Sequence, residues 1–257
     1  MPTIASSTLM TPRVRQWLRK GLPARVLHRF EDVCNLVNDQ GEVISLVTQR
    51  IGPGPFAMVL AGDLPAELDL QPPIAVDDGR KALTVGSLSI RYGEATLWNS
   101  RPDWERIRSA DRTTWPPSLV LKDELDSFLT RMLHGIVTDH PAECMAGVTG
   151  LAGRGTGLTP SGDDVLMGVL YALWVWYPNR DWMAPIMETA APRTTTLSAN
   201  FIRAAANGEA VWQWHALAAG QEDAIAQIHR IGHRSGAEAW AGFVHTGQTL
   251  GKSSLQR

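Results

Sequence analysis

Apolar and polar positions follow two different rhythms along the chain. Between about Arg25 and Trp98 the apolar runs are short, β-branched and punctuated by turn residues. Residues 33–37 and 42–48 flank Asn38-Asp39-Gln40-Gly41, a pattern that predicts a hairpin. Gly52-Pro53-Gly54-Pro55 breaks the chain before residues 56–60. The runs 74–76, 82–85 and 88–90 follow, with Asp77-Asp78-Gly79 as a turn. Short strands at close spacing, with no strong helix between them, predict an antiparallel sandwich or partly open barrel.

After Trp115-Pro116-Pro117 the period lengthens. Leu121, Leu125, Phe128, Leu129, Met132 and Leu133 fall close to a helical repeat. Residues 165–177 are apolar nearly all round, which predicts a helix at the centre of a bundle. Segments 197–206, 222–231 and 236–246 are helical by composition. The expected architecture is α+β: an N-terminal segment 1–24, a β-rich domain 25–115 and an all-helical bundle domain 116–257.

Composition narrows the function classes. Lys and Arg number 24 against 26 Asp and Glu, a net charge of -2, so no global basic field invites nucleic acid. With 44% hydrophobic and 19% charged residues the chain has ample material for a core. Two cysteines make neither a disulfide framework nor a four-thiolate zinc site. The longest apolar run has 13 residues, too short for a bilayer, and the first 17 residues show no sustained apolar signal region. A cytoplasmic protein with neither membrane nor nucleic acid as partner is expected.

The chemistry concentrates in Gly150-Leu-Ala-Gly153-Arg154-Gly155-Thr156-Gly157-Leu158-Thr159-Pro160-Ser161-Gly162-Asp163-Asp164. Gly157-x4-Gly162 has the spacing of a phosphate loop, but Asp163-Asp164 replaces the Lys-Ser/Thr that should follow. Two carboxylates repel a bare phosphate, so a nucleotide phosphate loop is excluded, and neither nucleotide nor redox cofactor is expected. Three readings remain. In the first, Ser161 caps the helix, Asp164 closes a capping box and Gly162 permits close packing. In the second, main-chain N–H groups and Arg154 bind an oxyanion at the helix N-terminus. In the third, Asp163 and Asp164 hold Mg2+ or Mn2+. The last two are compatible.

An echo weighs against capping alone. Ser161-Gly162-Asp163-Asp164-x3-Gly168 has the form S-G-x-[DE]-x3-G, and Ser235-Gly236-Ala237-Glu238-x3-Gly242 repeats it 74 residues later. A glycine inside a helix costs about 1 kcal/mol against Ala, so its recurrence predicts close helix approach, with both N-termini meeting at one cleft. His233 is a candidate general base, while the other histidines show no metal-ligand spacing. Cys144 sits near the loop without a nucleophile motif. Thr194-Thr195-Thr196-Leu197-Ser198 reads as an N-cap cluster whose hydroxyls also suit an anion. Trp174/Trp176 and Trp212/Trp214 lack interleaved basic residues and are read as core or interface.

With Gly157-Leu-Thr-Pro-Ser-Gly-Asp-Asp, Thr196-x-Ser198 and Ile231-Gly-His-Arg-Ser-Gly236 in this order, the sequence resembles a largely uncharacterised bacterial family. That family is named for the AllH subunit of oxamate carbamoyltransferase, of anaerobic allantoin breakdown in purine catabolism. The motif-bearing resemblance covers about residues 150–247. Arg234 departs from it, standing where a small residue, usually Ser, is expected.

The resemblance implies a subunit that works with other carbamoyltransferase subunits on a small anionic substrate. Such a complex interconverts carbamoyl phosphate plus an amide-type acceptor with the N-carbamoyl product and phosphate. On this expectation Asp163, Asp164 and His233 are catalytic, and Asp163 and Asp164 ligate the metal. Arg154, Gly155, Gly157, Thr159, Ser161, Gly162, Ser198, Arg234, Ser235 and Gly236 bind substrate. Two alternatives stand beside it: a stand-alone metal-dependent hydrolase of an amide or ureido group, and a non-catalytic structural or regulatory subunit.

Overall fold

The computed structural model describes residues 3–65, 74–110, 115–177 and 181–254, in two compact units, Met1–Ser100 and Arg101–Arg257. The α+β division is as expected. Unit one contains β1 (Thr3–Met10), α1 (Pro12–Lys20), β2 (Ala24–Arg29), β3 (Val33–Asn38), β4 (Val43–Val47), β5 (Ala57–Leu60), β6 (Ile74–Asp77), β7 (Ala82–Val85), β8 (Leu88–Arg91) and β9 (Thr96–Leu97). The strand order is β2-β3-β4-β5-β1-β8-β7-β6, with β9 paired to β1. The edge strands β2 and β6 meet, so the sheet is a nearly closed barrel. It is mixed: the β3–β4 hairpin is antiparallel as its turn predicts, whereas β4–β5 and β1–β8 run parallel.

Two elements of this unit have weak signatures in the sequence. β1 is rich in Ser and Thr, yet it lies in mid-sheet between β5 and β8. In α1, Thr11 caps the N-terminus by accepting from the Val14 N–H, Pro12 fits the first turn, and Gly21 at φ 56 ends the helix. Its Val14, Trp17 and Leu18 are buried in one core with Leu36, Ile44, Met58, Leu83 and Ile90. Full burial of such side chains stabilises by about 1.5–3 kcal/mol each.

Unit two contains α2 (Trp104–Ser109), α3 (Asp123–Val137), α4 (Pro141–Leu151), α5 (Ser161–Trp176), α6 (Met183–Ala190), α7 (Thr196–Ala206), α8 (Trp212–Ala218), α9 (Ala224–His229) and α10 (Ser235–Ser254). As predicted, α5 is the buried helix, closed on nearly every face from Gly162 to Leu173. Trp214, Trp240 and Phe243 are wholly interior, packed on Tyr171 and Trp176. Among the described residues no helix is long and apolar enough to cross a membrane.

The repeated glycines set how α5 and α10 meet. A Cβ on Gly168 would stand 1.9 Å from the Ala239 carbonyl oxygen, and one on Gly242 would stand 2.2 Å from the Val165 oxygen. These contacts are reciprocal: the motif offset carries Gly168 onto Gly242 and Val165 onto Ala239. Farther along, Gly247 of α10 packs on the Trp176 ring of α5. The helices therefore run side by side in the same direction, and their N-termini converge.

Candidate functional site

The two repeated motifs meet at the N-termini of α5 and α10. Each helix is seated by the glycine after its serine: a Cβ on Gly162 would lie 2.0 Å from the Leu151 oxygen, and one on Gly236 would lie 1.7 Å from the Ile228 oxygen. The loop before α5 bends through Gly155 at φ 123, a backbone closed to side-chain-bearing residues.

Asp163 and Asp164 are adjacent and both buried, at 0% and 1% exposure, yet they are used differently. Asp163 is fully engaged. Its Oδ1 accepts from the Gly153 N–H at 2.7 Å, and its Oδ2 accepts from Ser198 Oγ at 2.8 Å and from Thr194 Oγ1. One carboxylate thereby fastens the glycine loop and the start of α7 to α5. Thr195 caps α7, as the hydroxyl cluster predicts, and its hydroxyl also donates to the Leu158 carbonyl at 2.5 Å.

Asp164 is the contrary case, with neither carboxylate oxygen hydrogen-bonded. The Thr159 and Ser235 hydroxyls lie near enough to favour its charged form, but they bond each other at 2.9 Å rather than the carboxylate. Burial dominates and, helped by the charges of Glu238 and Asp163, pushes its pKa up to about 8. Burial first, and then the charges of Asp164 and Glu209, push the Tyr171 phenol up.

Glu238 occupies the position in α10 that Asp164 occupies in α5. It is 4% exposed and pairs with Arg234 at 3.3 Å, four residues earlier. The corresponding residue before Asp164 is Pro160, which brings no cation. One buried acid therefore has its own counter-charge, and among the described residues the other has none. Arg234 is the cation that makes this difference.

Ser161 is not the cap that the first reading assigned to it. Pro160 holds that place, without a side-chain hydrogen bond, and Asp164 closes no capping box because its carboxylate turns to the interior cluster. Three of the first four N–H groups of α5 already have main-chain acceptors: Gly162 bonds the Arg154 oxygen, and Asp163 and Asp164 bond the Pro160 oxygen. Arg154 is engaged elsewhere, bonding Glu124 at 2.5 Å and the Gly150 oxygen at 2.9 Å and lying over Phe128. Gly157 is exposed at the loop tip, and His233 is exposed just before α10.

The fold thus brings together Asp163, Asp164, Thr159, Ser198, Ser235 and Glu238, and leaves Arg154, Gly157 and His233 outside that cluster. Thr194 and Glu238 are absent from the sequence-derived site set; the echo of the motif is the signal that pointed to Glu238. A directly bound metal does not suit these donors. Asp163 already accepts three hydrogen bonds, and among the described residues no group of three His, Cys, Asp or Glu is arranged around one point. The Cys144 thiol is fully buried and pushed up to about 12 by that burial, so it is no nucleophile.

The fold and site define a class: a nearly closed mixed barrel joined to a helical unit whose two repeated motifs enclose buried acids. Residues 151–246 match the family described as oxamate carbamoyltransferase subunit AllH, and residues 5–97 match the AllH family N-terminal domain. The chain belongs to the AllH family, whose name is that of a carbamoyltransferase subunit. No solved structure gives a significant match.

Proposed function

We propose that the chain is the subunit of an oxamate carbamoyltransferase-like complex that recognises a carbamoyl or amide group at Asp164. The observation that carries this reading is a buried carboxyl with both oxygens unpartnered, set between paired hydroxyls and a second acid. With a pKa near 8 it is mainly protonated at neutral pH. A neutral carboxylic acid donates one hydrogen bond through its hydroxyl and accepts another through its carbonyl. A primary amide or carbamoyl group offers the complement, one N–H and one C=O side by side. An ionised carboxylate would lack the donor, and a fully paired one such as Asp163 has no capacity left.

In the overall reaction the acceptor amide nitrogen forms a bond to the carbamoyl carbon, the bond from that carbon to the phosphate oxygen breaks with its electron pair going to the phosphate, and the proton lost by the nitrogen ends on that leaving phosphate. Asp164 would orient one of the two amide-type groups. Thr159 and Ser235 would hold the walls, Asp163 would fix the loop above α5, and Glu238 with Arg234 would keep a steady charge beside it. The phosphate end and the remaining chemistry are assigned to partner subunits.

The test is carbamoyl transfer by the co-purified complex, with carbamoyl phosphate and oxamate as substrates. Asp164→Leu keeps a similar volume and removes both hydrogen-bonding functions. It is expected to lower turnover at least about a hundredfold, the loss of two well-placed hydrogen bonds, while the complex still assembles. Wild-type turnover in the Asp164→Leu complex would discard the role of this site and favour a purely structural subunit. Turnover by the isolated chain would favour the stand-alone enzyme.

A further inference from the structure

Unit one holds a cavity of about 320 Å3 that the site in unit two does not involve. Its lining includes Arg15 and Arg19 of α1, Asp78 and Lys81 around the β6–β7 turn, and Tyr92 and Gly93 after β8. Three cations face one carboxylate. Lys81 Nζ lies 2.7 Å from Asp78 Oδ1, which leaves the two guanidinium groups as the surplus.

Arg19 suits the negative C-terminal end of α1, but Arg15 is set directly beside it. They stand one turn apart on α1, where like charges repel, and the first turn of the helix has no acidic residue. Neither forms an ion pair among the described residues; Arg19 only adds to Lys81 in holding the Asp78 carboxyl below its usual range. Two guanidinium forks on one wall match the oxygen edges of a carboxylate or phosphate.

A second, independent observation lies at Tyr92. The residue is 6% exposed, and its hydroxyl is buried without a hydrogen-bond partner, an expensive state for a phenol. Burial and the nearby Asp78 and Asp77 push its pKa up, so the hydroxyl stays a proton donor. Its N–H bonds the Lys81 oxygen at 2.8 Å, and Lys81 itself sits at φ 50, a left-handed backbone unfavourable for lysine. The side of Lys81 is accommodated by Gly93, where a Cβ would come within 3.3 Å of the lysine Cβ. The strained turn is thus locked to the wall that carries Tyr92.

We propose that this cavity binds a small oxyanion, a phosphate or a carboxylate, through Arg15 and Arg19, with Tyr92 as a neutral donor. Its volume lies at the low end for ligand pockets and suits a compact anion rather than a nucleotide. The proposal does not rest on the function assigned to Asp164.

The test is calorimetric titration of the full chain at low ionic strength with inorganic phosphate and, separately, with oxalate. At least one is expected to bind with one-to-one stoichiometry; phosphate alone would identify a tetrahedral anion as the ligand, and oxalate alone a planar carboxylate. Arg15→Gln/Arg19→Gln, at exposed positions that leave the fold intact, should weaken binding at least about tenfold. Tyr92→Phe should weaken it about threefold or more, and Asp164→Asn should leave it unchanged. Absence of binding by both anions would overturn the proposal. So would binding that survives the double arginine variant, or that is lost in Asp164→Asn.

Discussion

The Thr159 hydroxyl lies 2.9 Å from the Ser235 hydroxyl, latching the loop before α5 to the first residue of α10 across 76 positions of sequence. Both hydroxyls stabilise the charged form of Asp164 from close by. Removing either one leaves burial and the neighbouring acids less opposed. Thr159→Val and Ser235→Ala are each expected to raise the Asp164 pKa above its value of about 8. Carbon-detected carboxyl titration by NMR measures it, and an unchanged or lower value would contradict the arrangement.

Asp164 also predicts how stability responds to pH. Folding raises its pKa from an ordinary 3.8 to about 8. Between those values the folded protein retains a proton that the unfolded chain has released, so stability falls as pH rises. The contribution is fully present below about 3.8 and is lost as pH passes about 8. The slope is at most about 1.4 kcal/mol per pH unit. Urea denaturation from pH 5 to 9 should show the decline, and Asp164→Asn should flatten it.

Asp163 should act on stability through the three donors that it satisfies. Asp163→Ala strands the Gly153 N–H and the Thr194 and Ser198 hydroxyls, for an expected loss of about 3 kcal/mol or more. Asp163→Asn keeps an acceptor for the N–H, and both hydroxyls can turn to accept from the new amide, so the loss should be near 1–2 kcal/mol. Thermal melts would separate them by a few degrees, at about 2–4 °C per kcal/mol for a chain of this size. Equal effects would mean that the carboxylate is not the fastener described.

In an open helix Gly→Ala usually stabilises, since alanine restricts the unfolded chain. At Gly168 and Gly242 the opposite is expected, because each Cβ would enter the main chain of the facing helix. Each substitution should cost about 1–3 kcal/mol or more. The pair share one interface, so the double variant should lose less than the sum of the two. Neutral or raised melting temperatures would show that α5 and α10 are less tightly joined than their glycines imply.

Both cysteines should be silent toward a thiol reagent at pH 8 in the folded protein. Cys34 and Cys144 are fully buried, with pKa values pushed up to about 11 and about 12. Reaction of both is expected only in denaturant, as read by the absorbance of an aromatic disulfide reagent.

The sequence was most informative where one signal had no competitor. Residues 165–177 could be only a buried helix, and Asn38-Asp39-Gln40-Gly41 between two β-branched runs could be only a hairpin. β1 escaped because Ser6, Ser7 and Thr8 interrupt its apolar alternation; its place in the sheet depends on partners far along the chain. α4 and α8 were too short or too glycine-rich for a clear period. At the site, the motif repeat revealed the glycine contacts and the meeting of the two N-termini. The opposite roles of Asp163 and Asp164 were illegible, because they depend on which donors α7 and the glycine loop bring to each.

The position of β1 has a further consequence for how unit one comes together. Thr3 pairs with Leu88 and Ser7 with Leu60, so the strand made first finds its partners only after most of the unit has been synthesised. Until β8 emerges from the ribosome, β1 has one edge unmatched, and the barrel is two separate half-sheets. Such long-range pairing slows folding. Deleting residues 3–10 should therefore do more than shorten the chain: it would cut the sheet between β5 and β8 and leave two new edges open to pairing with other chains.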